Sequence, residues 1–257
     1  PLTGSLITGS QSLFGFKTEL KFGRLSVTSI FSQQKGETSV IEIEGGAQKK
    51  DFELYADEYE ANKHFFLGHY FKENYDRALA GLPVINSGIN INRIEVWVTN
   101  RTGNFENARN IVAFPDLGES NDSVIESNYA QTGSNQTLIP FDSINALGNI
   151  ANDVPAVRDI NQVTNALTGL NMMGGIDYEK VESARLLNAS EYSVNTQLGY
   201  ISLNSTLASD QCLAVAIEYT IAGKTYRVGE FSNSGISAPD ALVVKLIKGT
   251  NFTPQRT

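Results

Sequence analysis

The chain holds 257 residues, with 20 Lys and Arg against 28 Asp and Glu, for a net charge of −8. That acidic balance excludes the clustered cations with which proteins grip nucleic-acid phosphates. No apolar run reaches the roughly 18 residues that a membrane-crossing helix needs. Cys212 is the only cysteine, which excludes an internal disulfide and a cysteine-rich metal site. Its place just before the apolar run Leu213–Thr220 suits a small buried residue. The length allows one large domain or two small ones. The chain opens on Pro1 without an initiator Met or a signal peptide, so it reads as an excerpt of a longer protein.

The first element is an amphipathic hairpin. From Ser12 to Phe22 the even positions Phe14, Phe16, Leu20 and Phe22 are apolar, and the odd positions Lys17, Glu19 and Lys21 are charged. This is the period-two pattern of a strand with one greasy and one wet face. Gly23–Arg24 suits a two-residue turn with Gly first, and Leu25–Gln34 returns with Leu25, Val27 and Phe31 on one face. Each arm is about ten residues long, close to what a tilted strand needs to cross a bilayer. The pattern alone favours a soluble antiparallel hairpin.

A short alternating strand is expected at Ser39–Glu44, then a helix over Glu58–Ala80. Asp57 is its candidate cap, with Glu60 three residues on completing a capping box. Leu67, Phe71, Tyr75, Ala78 and Leu79 form the apolar stripe of that helix. Gly81 and Pro83 stop it. Ile89–Thr99 is a strand in which Ile89 and Ile91 alternate, a break follows, and Ile94, Val96 and Val98 resume. Trp97 points away from Val96 and Val98. Phe114–Pro115 before Asp116–Leu117–Gly118–Glu119 reads as a turn, and Gly118–Asn135 as an exposed, mobile loop. Two helices follow, at Asp142–Ile150 and Val154–Leu170; Val157, Ile160, Val163, Leu167 and Leu170 stripe the second, with Asp153 as its candidate cap. Leu213–Ile221 alternates cleanly, and Ala222–Gly223 can turn it into a strand over Thr225–Phe231.

No catalytic residue, cofactor site or metal site emerges from the sequence. His64 and His69, five apart on a helix, would diverge by roughly 140°, which rules out the shared metal face of an i, i+4 pair. The acidic pairs Asp57/Glu58 and Glu179/Glu182 fit capping and solvated faces. Nucleophile elbows, phosphate-binding glycine loops and calcium loops are missing from the sequence. What remains as possible interaction residues is aromatic: Phe65, Phe66 and Tyr70, with Phe71 and Tyr75, on the first helix, and Trp97 on the strand. Burial is the favoured reading of the helix face. Trp97 is open between the core of a two-sided sheet and an exposed contact.

One block carries more than its physical pattern: Phe65–Asn100, FFLGHYFKENYDRALAGLPVINSGININRIEVWVTN. It resembles a characteristic block of the SprA/Sov family, the giant outer-membrane translocon of the bacterial type IX secretion system, which also supports gliding motility. The resemblance continues through ARNIVAFPDLGE (Ala108–Glu119), SARLLNASEYSVNTQLGYISL (Ser183–Leu203), LAVAIEYT (Leu213–Thr220), YRVGEFS (Tyr226–Ser232) and LVVKLIKGTNFTP (Leu242–Pro254), in the family's order.

The resemblance implies an α+β fold, antiparallel and β-rich with a few helices, inserted between strands like those of an outer-membrane β-barrel. Residues 1–34 would be a hairpin resembling barrel strands and 35–119 an α+β module. Residues 120–153 would be a variable exposed insert, 154–234 a helix with an antiparallel β region, and 235–257 the return toward the barrel. Short periplasmic turns would put Gly23–Arg24 on the periplasmic side and the inserted module outside the cell. The implied role is non-catalytic, structural or gating, at the outer membrane and cell surface. The implied partners are other type IX outer-membrane components and secreted cargo proteins, with no nucleic acid and no small-molecule substrate. A surface adhesin or glycan-binding domain is the alternative, and a hydrolase without a motif a third.

Overall fold

A computed structural model describes backbone for residues 13–22 and 25–34, then residues 55, 58–121, 124–130 and 146–251. The chain divides into two compact units, Pro1–Leu54 and Tyr55–Thr257. In the first unit β1 (Leu13–Phe22) and β2 (Leu25–Gln34) pair antiparallel. Their register sets Phe16 opposite Phe31, Leu20 opposite Val27 and Phe22 opposite Leu25. The two arms are those read from the sequence. The Gly23–Arg24 turn, the expected strand at Ser39–Glu44 and the candidate cap Asp57 lie outside the described residues.

The second unit is built on strands. β3 (His64–Phe66), β7 (Tyr192–Asn195) and β8 (Tyr200–Leu203) make a three-stranded sheet in the order β3-β8-β7. The larger sheet contains β4 (Ile89–Val98), β5 (Arg109–Phe114), β6 (Glu179–Leu186), β9 (Leu213–Ile221), β10 (Lys224–Val228) and β11 (Leu242–Lys248). Its pairings run β9-β11-β5-β6-β4 and return from β4 to β9, with β10 added outside the cycle on β9. Five strands thus close a ring of pairings. Among the described strands only β5 and β11 pair parallel, so the sheet is mixed where an antiparallel one was expected.

This ring explains the alternation in the sequence. A bulge between Ile91 and Arg93 shifts the side-chain period by one, which is the break seen in the strand. Ile89, Ile91, Val96 and Val98 therefore face one core, and Trp97 faces another. The outer core also takes Leu213, Val215, Ile217 and Tyr219 of β9, and the helical segments that carry Phe71, Ile150, Val157 and Leu167 pack on it. The ring encloses the other face, where Trp97 lies among Ala113, Ala184, Ala214 and Ala216. Small residues on four positions leave room for one indole. Phe231 fills the same space, and the loop that carries it is pinned. Arg109 donates to the carbonyls of Ile236 at 2.8 Å and Asp240 at 3.2 Å, and Glu95 accepts from the Ser232 N–H at 2.8 Å. The Arg93 guanidinium lies 3.9 Å from the Phe231 ring centre. The ring is a packed core, not a pore.

Four expectations change. The segment expected as one helix over Glu58–Ala80 is strand β3, then α1 (His69–Glu73) and α2 (Tyr75–Leu79). Asn62 sits at φ 55 and breaks the helical path, pairing with β8 overrides local propensity, and Glu60 contacts Lys63 and His64 instead of completing a capping box. The stop before Gly81 and Pro83 falls where expected. The helix expected over Val154–Leu170 is a 3₁₀ turn (Pro155–Arg158) and α4 (Val163–Thr168). Asp159 accepts the Asn161 N–H at 2.9 Å, the kind of local side-chain bond that competes with helix. The stripe itself survives, with Val157, Val163 and Leu167 buried.

The described part of the expected mobile loop and insert is largely interior. Gly118, Glu119, Ile125, Ser127 and Ala130 are buried, as is Leu147 in the 3₁₀ turn Ala146–Asn149 and Ile150 at the start of α3 (Ile150–Asp153). Finally, β11, in the segment expected as the return toward a barrel, lies between β9 and β5 within the sheet. Strands from all three expected segments, 35–119, 154–234 and 235–257, interleave in one ring. Among the described residues no helix is long and apolar enough to cross a membrane.

Candidate functional site

The sharpest chemistry in the fold surrounds Lys245. It lies on β11 opposite Phe114 and Val215, on the outer-core side, with its side chain 3% exposed. An ammonium has three protons to place. They meet the Pro115 carbonyl at 2.9 Å, the Leu117 carbonyl at 3.0 Å and Glu119 Oε1 at 2.7 Å. Glu119 Oε1 also accepts the N–H of His69 at 3.2 Å. One buried ion pair therefore ties β11, the Phe114–Glu119 turn and the start of α1 together. Burial pushes the neighbouring Asp116 carboxyl above its ordinary value, although it accepts the N–H of Ser127 at 2.8 Å and of Glu126 at 3.1 Å. Those two bonds fold the chain after the turn back onto it.

Asp116 gives a signed prediction. A carboxyl raised in the folded state holds its proton more tightly there than in the unfolded chain. Its contribution is then full below the unfolded value and is lost as pH rises through the folded one. Asp116→Asn keeps an acceptor for both N–H groups and removes that loss. Its stability relative to the wild-type chain rises as pH is raised through the carboxylate range, by urea titration at several pH values. Asp116→Ala strands two N–H groups and costs about 1–3 kcal/mol for each.

A groove of about 360 Å³ opens beside the ion pair, between β3, α1 and the end of β11. His64, Phe65 and Phe66 line it from β3, His69 and Lys72 from α1, and Ile247 from β11. An aromatic pocket of about 200 Å³ shares His64, Phe65 and Phe66 with it and adds Tyr75 and Tyr200. The Phe66 ring meets Tyr75 edge-on at 5.5 Å and Tyr200 at 6.3 Å. Such offset contacts hold aromatic walls in fixed positions.

His64 places Nδ1 2.7 Å from Ser202 Oγ and Nε2 2.7 Å from Glu60 Oε2. Lys63 and then His64, hydrogen-bonded to Glu60, hold its carboxyl below the ordinary value. The order hydroxyl, imidazole, carboxylate is that of a hydrolase relay. Here the imidazole and the carboxylate are about half exposed, and Ser202 lies within the paired strand β8, not on a sharp strand-to-helix turn. The chain of bonds clamps the Glu60 turn to β8.

The sequence candidates divide. Phe65 and Phe66 line the groove, half-buried, but from a strand instead of a helix. Tyr70 packs edge-on against Phe71 at 5.7 Å and supports α1 from outside the groove. Trp97 is wholly buried inside the ring, so the contact reading is corrected in favour of the two-sided sheet, and a sugar-binding surface loses its main aromatic. His64 and His69, expected to diverge, share the groove rim, yet no cluster of metal ligands occurs among the described residues. Glu179 accepts from Thr250, whereas Glu182 reaches Lys180. Cys212 is buried, with its thiol pushed up to about 11 by burial. Lys245 was missed although a cation inside the apolar run Ala241–Ile247 calls for a buried partner.

Fold and site together define a packed α+β scaffold that presents a groove, attached in sequence to a β-hairpin. The chain belongs to the SprA_N family, described as motility related/secretion protein, which matches residues 1–207. The match takes in both units but ends before β9, β10 and β11, without which the ring cannot close. No curated protein matches the chain.

Proposed function

We propose that this chain is a non-catalytic structural or gating segment of an outer-membrane translocon that serves type IX secretion and gliding motility. The observation that carries the reading is membership of a motility and secretion family over the hairpin and the grooved unit as far as residue 207. The hairpin, with two arms of ten residues each, has the strand length of a barrel wall. The second unit, Tyr55–Thr257, is the module inserted at the cell-surface side. Because side chains fill its ring, cargo does not pass through it. The module acts by its outer surface, on other outer-membrane components of the system and on the secreted proteins.

Deleting residues 55–251 from the full-length protein, with a short Gly/Ser bridge, tests this. The cut has to include β11, since a deletion ending at Ser234 would strand it without its ring. The expected result is assembly in the outer membrane with secreted cargo lost from the medium. Normal secretion and motility would overturn the reading.

A further inference from the structure

Two strand edges meet at the groove. β3 is the outer strand of its sheet. Leu67 donates to Gly199 and Leu203 donates to Lys63, so Lys63, Phe65 and Leu67 turn their backbone groups toward β8. By the alternation of an antiparallel ladder, His64 and Phe66 turn theirs outward. Among the described residues no strand pairs with that edge. Across the groove, β11 continues past its last pairing with β5 at Lys245, because β5 gives way to Pro115, which has no N–H to offer. Leu246 and Ile247 of this stretch, whose other edge stays on β9, line the groove. The opposite sheet edge, β10, carries exposed Lys224 and Arg227, a common guard against pairing.

The groove has a definite polarity. The chain as a whole carries a charge of −8, yet His69 and Lys72 stand one helical turn apart on the rim. Glu119, the one carboxylate lining the groove, is held by Lys245 and the His69 N–H. Glu60 is held by Lys63 and His64, and Glu73 adjoins Lys72 on α1 outside the lining. No acidic partner of the Lys72 side chain occurs among the described residues. Next to this cationic rim, Phe66, Tyr75 and Tyr200 leave an apolar pocket.

We propose that this groove docks an extended acidic peptide segment of a partner protein by strand addition to β3. Backbone pairing with His64 and Phe66 gives affinity, and two side-chain subsites give selectivity. A carboxylate of the segment meets Lys72 and His69, and an apolar or aromatic side chain enters the Phe66–Tyr75–Tyr200 pocket. The inference deepens the secretion reading, on which it rests for the nature of the partner.

The test uses the purified full-length protein and three fluorescent eight-residue peptides of alternating valine and threonine. The first carries one phenylalanine and one aspartate. The second has lysine for the aspartate, and the third has proline at its centre to block pairing. Anisotropy is expected to show saturable binding of the first alone. Lys72→Glu, an exposed change, should weaken it by about tenfold or more, while Lys224→Glu on the β10 edge leaves it unchanged. Equal binding of all three peptides, no binding of the first, or indifference to Lys72→Glu would each overturn the proposal. Secretion lost on deleting residues 55–251 with no peptide bound would remove the groove assignment and keep the secretion reading. Peptide binding with secretion intact would do the reverse.

Discussion

Lys245→Met is expected to destabilise the chain by about 3–5 kcal/mol, the cost of leaving a buried partner uncompensated. The methionine keeps the length and apolar stem of the lysine, so packing on the outer core changes little. What is lost is the ammonium that meets Glu119 and the carbonyls of Pro115 and Leu117. The Glu119 side chain is 3% exposed and cannot turn to water without opening the turn. Since it also receives the His69 N–H, the damage should reach α1 and the groove. Trp97 is the only tryptophan and reports unfolding by its fluorescence in urea. The second measurement is the double variant Glu119→Leu, Lys245→Met, which removes both charges. It should recover about 1–3 kcal/mol of the loss, but not all, because two carbonyls still lack their donor. If the single variant unfolds at the wild-type urea concentration, the pair does not hold the turn to β11.

The elements that could be read in advance are those whose pattern is set by one neighbour or one face. Leu213–Ile221 alternates because one side of β9 faces the outer core and the other the ring interior. The hairpin after it was legible because Ala222 and Gly223 both take positive φ, at 48° and 78°, as a tight turn of that hand demands. The strand before Trp97 even showed its bulge. The failures came where a distant segment decides the outcome. Phe65 and Phe66 fit a helical stripe as well as a strand, and only β8, more than a hundred residues away in sequence, selects the strand. There Gly199 at φ +64 lies so close to Phe71 that an added Cβ would stand 2.0 Å from its ring, a contact no local pattern reveals. The same holds for the candidate site. Phe65 and Phe66 stood out by their aromatic character, but Lys72, Lys245 and Glu119 acquire meaning only when α1, β11 and the Phe114–Glu119 turn meet. The segment around Ile125 looked exposed because its composition is polar. Two N–H bonds to Asp116 and two buried apolar side chains, Ile125 and Ala130, outweigh that composition.

Trp97→Ala carries the other large effect, and it separates the two readings that the sequence left open. An exposed contact residue would tolerate alanine with no change in stability and a loss of partner binding. Trp97 is instead 0% exposed inside the ring, opposite Ala214 on β9 and Leu186 on β6. The alanines that make room for the indole cannot close the space it leaves, so a cavity remains and the cost should be about 3–5 kcal/mol. The loss falls where β4 joins β6 through two residue pairs, at Trp97 and Val98, so the ring should open at that seam first. Trp97→Phe is the informative companion. It removes a smaller volume and deletes an indole Nε1 that is buried without a hydrogen-bond partner among the described residues. An unsatisfied donor is itself a cost, so this variant should lose only about 1 kcal/mol. Circular dichroism during thermal melting measures both, since the indole fluorescence is gone. Secretion by the two variants should then follow their stability, with Trp97→Phe near normal and Trp97→Ala defective. A stable Trp97→Ala chain that fails to secrete would return Trp97 to the list of contact residues and contradict its place in the core.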